Sequence, residues 1–332
     1  MATPGSAAWL DSIQEDIIDP GQRIIDPHHH LWRRPGWDYL LGDLRKDTGS
    51  GHKVEKTVFV ECGAEYLSTG PEHLKPLGET KFVAGQAALS AQDSGSEIAA
   101  IIAHADLTLG DRLEQVLTAH ADIAEGRFRG IRHAGAHAEH PEVLSIAGRA
   151  PAGLYQDPAF REGVALLGKQ GYSYDTWHYH YQNQDFCALA RAVPETTMIL
   201  DHFGTPLGVG PYASQKQQIF EQWKQDIREI SKCANVVAKL GGLAMPDNGF
   251  GWHTAPKPPG SDEFVAVQKP YYLHAIECFG PDRCMFESNF PVDKVSSSYT
   301  VLWNSFKRIT EDFSDRDKAA LFRDTAVGTY RL

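Results

Sequence analysis

The run Asp26-Pro27-His28-His29-His30 places three imidazoles and a carboxylate within five residues, directly after the apolar pair Ile24-Ile25 and before Leu31-Trp32. Alternate side chains of a strand share a face, so an extended conformation points Asp26, His28 and His30 one way and His29 the other. Two residues of rise set the imidazoles of His28 and His30 roughly 6.5–7 Å apart along the strand, close enough to converge on one atom. That atom is either a metal ion or the polarised oxygen of a substrate. A solvated histidine patch is the alternative; the β-branched pair in front of the run favours a strand end that opens into a site.

Other histidines recur at the ends of apolar runs, namely His133, His180 and His202. Candidate strands at 23–27, 56–61, 98–103, 128–133, 174–180, 197–202, 235–240 and 283–289 alternate with candidate helices at 72–77, 110–124, 157–169, 185–192, 212–233, 263–279, 296–310 and 315–330. Ser314 is placed to cap the last helix. Eight such alternations predict a parallel sheet closing into a (β/α)8 TIM barrel, although an open doubly wound sheet follows the same pattern. In a barrel the C-terminal strand ends meet at one face, which makes neighbours of these histidines and of His28 and His30. Residues 1–22 form an N-terminal extension and 23–332 a single barrel domain. The Gly- and Pro-rich loop 241–262 follows the seventh strand and overhangs the same face, offering Phe250, Trp252 and His253 as a lid; a mobile insertion without a role is the alternative.

The 332 residues are 42% hydrophobic and 23% charged, ordinary for a globular protein, and the net charge of −11 without a Lys/Arg run argues against nucleic acid as a partner. Residues 1–22 lack the pattern of a secretory signal, and no window approaches the ~18–20 apolar residues of a membrane span, so a cytoplasmic protein without membrane contact is expected. Five scattered cysteines form no CxxC pair and read as reduced thiols.

The chain resembles the amidohydrolase-related proteins of the metal-dependent hydrolase superfamily, which include small-lactone hydrolases and certain decarboxylases. The likeness rests on Ile-Ile-Asp-Pro-His-His-His-Leu-Trp at 24–32, Phe-Arg-Gly-Ile-Arg-His at 128–133, Tyr-Asp-Thr-Trp-His-Tyr-His at 174–180, Leu-Asp-His-Phe-Gly at 200–204 and Ser-Asn-Phe-Pro at 288–291. It implies a distorted barrel whose site is built from His28, His30, His180 and His202, with an aspartate after the eighth strand. Here Asn289 stands at that position, and a carboxamide neither binds a cation strongly nor takes a proton from water. Glu287, on the same strand parity, and Asp293, four residues on, are the carboxylates left to serve as base, unless a histidine does. For Glu287 a buried ion pair, with Lys239 for instance, is an equal expectation; for Asp293 a solvated loop carboxylate is the stronger one. The bridging lysine of two-metal members has no counterpart at 129–133. A single zinc on His28, His30 and either His180 or His202 suits the set, and so does a metal-free site, as in some lactone hydrolases of this kind. Arg132 matches the position that holds a substrate carboxylate, and Trp32, Tyr155, Trp177, Tyr179 and Trp252 are candidate walls.

Three activities fit these residues. The leading expectation is a hydrolase of a carboxylate-bearing lactone or related carbonyl, with water attacking a carbonyl polarised by the histidines or by zinc. A metal-dependent decarboxylase of an unsaturated or aromatic acid is the second. A catalytically silent barrel that binds a small molecule, motivated by Asn289, is the third. The partner is a small organic acid or lactone, and a homo-oligomer is compatible with the sequence.

Overall fold

The computed structural model describes residues 2–332. Eight strands, β1 (Arg23–His29), β2 (Lys53–Val60), β3 (Glu97–Ala103), β4 (Phe128–Arg132), β5 (Ser173–Thr176), β6 (Met198–Leu200), β7 (Val236–Leu240) and β8 (Cys284–Phe286), pair in sequence order, all parallel. The ring closes just past the regular end of β8. The amide of His30 donates to the Phe290 carbonyl (2.8 Å) and that of Asn289 to the His28 carbonyl (3.0 Å), beside a parallel bridge between His29 and Phe290. This is the expected (β/α)8 barrel, and its seam runs through the histidine strand.

Two apolar layers hold it. Ile24, Phe59, Ile101, Ile131, Leu200 and Phe286 face outward into the shell of helices, while Ile25, Val58, Val60, Ala100, Ile102, Ile199 and Met285 fill the lumen floor together with Ala326 and Tyr330. Tyr330 ends the helix Thr325–Tyr330 and donates its hydroxyl to Asp175 Oδ2 (2.6 Å).

The strands that carry the site are shorter than the apolar runs predict. β5 stops at Thr176 instead of 180, β6 at Leu200 instead of 202, and β8 at Phe286 instead of 289. The chain leaves the regular ladder there: His202, Phe203 and Asn289 all adopt left-handed backbone angles, with φ of 52°, 58° and 54°. The helix expected at 72–77 is displaced to Leu77–Ser90, where Gly78 and Gly85 interrupt the apolar spacing that would reveal it. Ser314 does cap its helix, accepting the Asp317 amide.

The extension packs on the barrel. Trp9 Nε1 donates to the Ala255 carbonyl (3.1 Å), Ile18 N to Asn304 Oδ1 (3.0 Å), and the buried Lys307 ammonium to the carbonyls of Ile18 (2.7 Å) and Asp19 (2.8 Å). Among the described residues no helix is long and apolar enough to cross a membrane.

Candidate active site

A bulge interrupts β1. Strict alternation places Asp26 with His28 and His30, yet the register slips between Asp26 and His29. Pro27 has no amide to offer a ladder, and a bulge at this point lets Ile25, His28 and His30 share the lumen face. Asp26 turns behind the strand, where it accepts the Ser288 amide (2.9 Å) and the Tyr299 hydroxyl (3.0 Å). His29 faces the shell beside Thr57 Oγ1 (3.1 Å) and Phe59.

Within the lumen Glu287 joins two histidines. Its Oε1 lies 2.6 Å from His202 Nδ1 in hydrogen-bond geometry, and its Oε2 lies 2.7 Å from His28 Nδ1 without that alignment, so Oε2 accepts no hydrogen bond. All three side chains are buried. The local backbone makes this arrangement. Strand parity aims Asp201 inward and would aim His202 outward, but the left-handed turn at His202 swings its ring into the lumen as well. Gly241 and Gly242 clear the space: a Cβ on Gly241 would meet Glu287 Cγ at 2.4 Å, and one on Gly242, whose φ is +75°, would meet His202 Nδ1 at 2.4 Å.

His30 Nδ1 lies 2.8 Å from the Val60 carbonyl, which can only accept, so this nitrogen carries the proton and Nε2 the lone pair. That Nε2 stands 3.3 Å from His28 Nε2. Arg132 extends from β4 to Glu61, with Nε 2.8 Å from Oε1 and a second bond to the Glu61 carbonyl; its Nη1 lies 3.4 Å from His28 Nε2 and 3.6 Å from Asp201 Oδ2. Lys239, on β7, does not pair with Glu287 as its first partner. Its ammonium is 2.8 Å from Asp175 Oδ2, 3.2 Å from Asp201 Oδ1 and 3.4 Å from His28 Nδ1.

Burial dominates the electrostatics. It pushes the Glu287 carboxyl up to about 8, against the pull of Lys239, and Asp201 up to about 6. It drives His202 down to about 3 and His28 and His30 well below the ordinary imidazole value, with nearby cations adding to the effect. The imidazoles are therefore neutral at pH 7, the state that accepts a proton or ligates a metal.

A cavity of about 500 Å³ opens above this cluster, lined among others by His30, Trp32, Glu61, Arg132, Trp177, His202, Met245 and Asn289. Its size is that of a small-molecule site. Arg34 and Arg149 stand exposed at its mouth, Arg34 4.0 Å over the Trp32 ring.

Several expected residues lie elsewhere. Asp175 and Trp177 point inward, so His180 falls on a different course: past the end of β5, its Nδ1 accepts the Leu207 amide (3.3 Å) and its ring packs against Tyr181 and Tyr212, outside the cluster of His28, His202 and Glu287. His133 likewise accepts the Leu107 amide (3.1 Å) and packs on Phe160. Tyr155 is fully buried beside His178 rather than in the cavity wall. Tyr179 does not line the cavity but steadies the segment that does, binding the Gly148 amide (2.7 Å) and the Ile146 carbonyl (3.0 Å). Trp252 stacks on Phe250 and Phe264 instead of forming a wall, and the loop around it is pinned, with Asp247 accepting the amides of Ser145 (2.7 Å) and Ile146 (3.0 Å). Asp293 is no solvated loop residue. It is fully buried behind Asn289, accepting that amide (2.8 Å) and Ala244 N (3.1 Å). Asp201 is the site residue hardest to foresee, since only the parity of its strand end reveals an inward side chain.

The donor set fits a single divalent cation. Ligand atoms of His28, His202 and Glu287 lie within 4.8 Å of one another, and Glu287 Oε2 is a buried oxygen without a hydrogen bond. The 3.3 Å between the facing nitrogens of His28 and His30 also matches the roughly 3.3 Å that tetrahedral zinc imposes on two nitrogens bound at about 2.0–2.1 Å. His28 and His30 thus stand together, with His202, one of the two expected third ligands, and Glu287 nearby, while His180 lies outside.

A family profile described as amidohydrolase matches residues 25–332. The chain belongs to the amidohydrolase family. It is an enzyme of the hydrolase type. The uncharacterized protein y4mH of Sinorhizobium fredii is 33% identical to this amidohydrolase over 331 residues, covering 93% of this chain and 98% of that one. An L-fucono-1,5-lactonase of Burkholderia multivorans is 25% identical over 327 residues, covering 94% and 97%. The crystal structure of an amidohydrolase from Burkholderia multivorans with bound zinc superposes with a TM-score of 0.70 at 23% identity, covering 93% of this chain and 99% of that one.

Proposed function

We propose that this amidohydrolase hydrolyses a lactone, most readily one that bears a carboxylate. The observation that carries the proposal is the Glu287–His202 pair at the floor of a cavity whose wall also presents His30 and Arg132. A carboxylate that accepts the Nδ1 proton of an imidazole leaves the other ring nitrogen as a base and stabilises the imidazolium that forms. His202 would take the proton of an attacking water. Arg132 faces the place where negative charge develops on the carbonyl oxygen. The opened ring's alkoxide then recovers the proton from His202. When bound, a divalent ion would be held by His28, with His30 or with His202 and Glu287, and would supply Lewis-acid polarisation of a carbonyl and a more acidic water.

The similarity to an L-fucono-1,5-lactonase supports the lactone class. Arg34 and Arg149 at the mouth favour an anionic substrate, because Arg132 is already engaged by Glu61. Proton release from a panel of sugar lactones and carboxylated lactones tests the assignment, with His202→Ala as control. Turnover of no lactone, or equal turnover by the variant, would remove it.

A further inference from the structure

Three carboxylates, Asp175, Asp201 and Glu61, meet only two fixed cations, Lys239 and Arg132, around the lumen site. Arg132 is committed at the rim to Glu61. Its Nη1 reaches Asp201 Oδ2 only at 3.6 Å, so the cation nearest to the two inner carboxylates, Asp175 and Asp201, is another one. Lys239 reaches the same space from β7: Asp175 on β5 (2.8 Å), Asp201 after β6 (3.2 Å) and His28 on β1 (3.4 Å) surround its ammonium, with the Tyr330 ring beneath at 5.5 Å. Both oxygens of Asp201 have no hydrogen bond, so they are held by charge alone.

We propose that Lys239 is the resident cation of this lumen, balancing the carboxylates in place of a divalent ion, so that the site keeps its geometry without metal and binds zinc weakly. Any ion seated on His28 would sit within a few ångströms of this ammonium, in surroundings where like charges repel strongly. The ammonium thereby sets metal affinity without being a ligand, and the inference stands apart from the lactone assignment because its readout is binding.

The test uses the full chain stripped by a chelator, with zinc affinity measured by competition against a chromophoric chelator. Lys239→Met keeps the stem and removes the charge, and should bind zinc at least about tenfold more tightly than the parent. Where that variant is unfolded, Lys239→Met with Asp175→Asn removes the stranded partner as well and is read in the same way. The stripped parent should keep its Tm and circular dichroism, and Lys239→Met should gain Tm on adding zinc, or fold only in its presence. Zinc affinity in the folded variants equal to or below that of the parent overturns the proposal, and so does loss of the parent's fold on stripping.

Discussion

Glu287 is where sequence and geometry meet most closely, since its parity with Asn289 placed it inside the barrel and the structure sets it between two histidines. Its pH behaviour follows from burial. With its carboxyl pushed up to about 8, Glu287 is protonated at pH 7 and His202 then offers an N–H to the cavity; ionisation of Glu287 turns the outer nitrogen into a base. Lactone hydrolysis should therefore rise as pH passes through about 8, and Glu287→Gln should lower kcat/KM by roughly 10²–10³ and flatten that rise in a pH–rate profile. Stability runs the other way. A carboxyl raised above its ordinary value contributes stability that is full at low pH and lost as pH climbs through about 8, at most about 1.4 kcal/mol per pH unit. Asn289→Asp is expected to reduce activity rather than restore it, because the new carboxyl would face Asp293, which burial already holds well above the ordinary carboxylate range, across the present 2.8 Å contact, and the pair would share a proton instead of offering a free carboxylate. Steady-state rates of the two proteins check this. His28, His30 and His202 were legible from residue type and strand position. His180 was not, because its place depends on where β5 ends, and four residues of slack carry a side chain out of the lumen.

At the scale of elements, the strands were readable from apolar runs and their ends were not. The bulge at Pro27 and the left-handed turn at His202 are the two devices that aim the chemistry, and both break the alternation from which parity is read. Gly241-Gly242 is a signal that was present in the sequence but lost within a loop full of glycine. Gly242→Ala should disable the site, since the residue has φ +75° and its Cβ would strike the His202 ring. The expected cost is about 1–2 kcal/mol from the backbone alone, with a kcat reduced far more than that stability loss implies. Urea unfolding and turnover measured on the same preparation separate the two effects.

For the whole molecule, eight alternating segments were enough to name the barrel, because parallel strands joined by helices have few ways to bury both faces. What holds its floor was not foreseeable. Tyr330 and Ala326 enter the lumen from below, and the Tyr330 hydroxyl touches the same Asp175 that anchors Lys239. Tyr330→Phe should destabilise the fold by about 1–2 kcal/mol in urea titrations, the cost of removing one donor from a buried carboxylate. The loop expected to act as a lid is instead tied to its neighbours through Asp247, which gives the cavity a fixed rim.

Two of the seven tryptophans, Trp32 and Trp177, border that cavity. A guest entering it must change the polarity around these indoles, so intrinsic fluorescence becomes a built-in optical gauge of occupancy. Candidate compounds can be ranked by titration before any turnover assay exists, and Trp177→Phe assigns the responding signal.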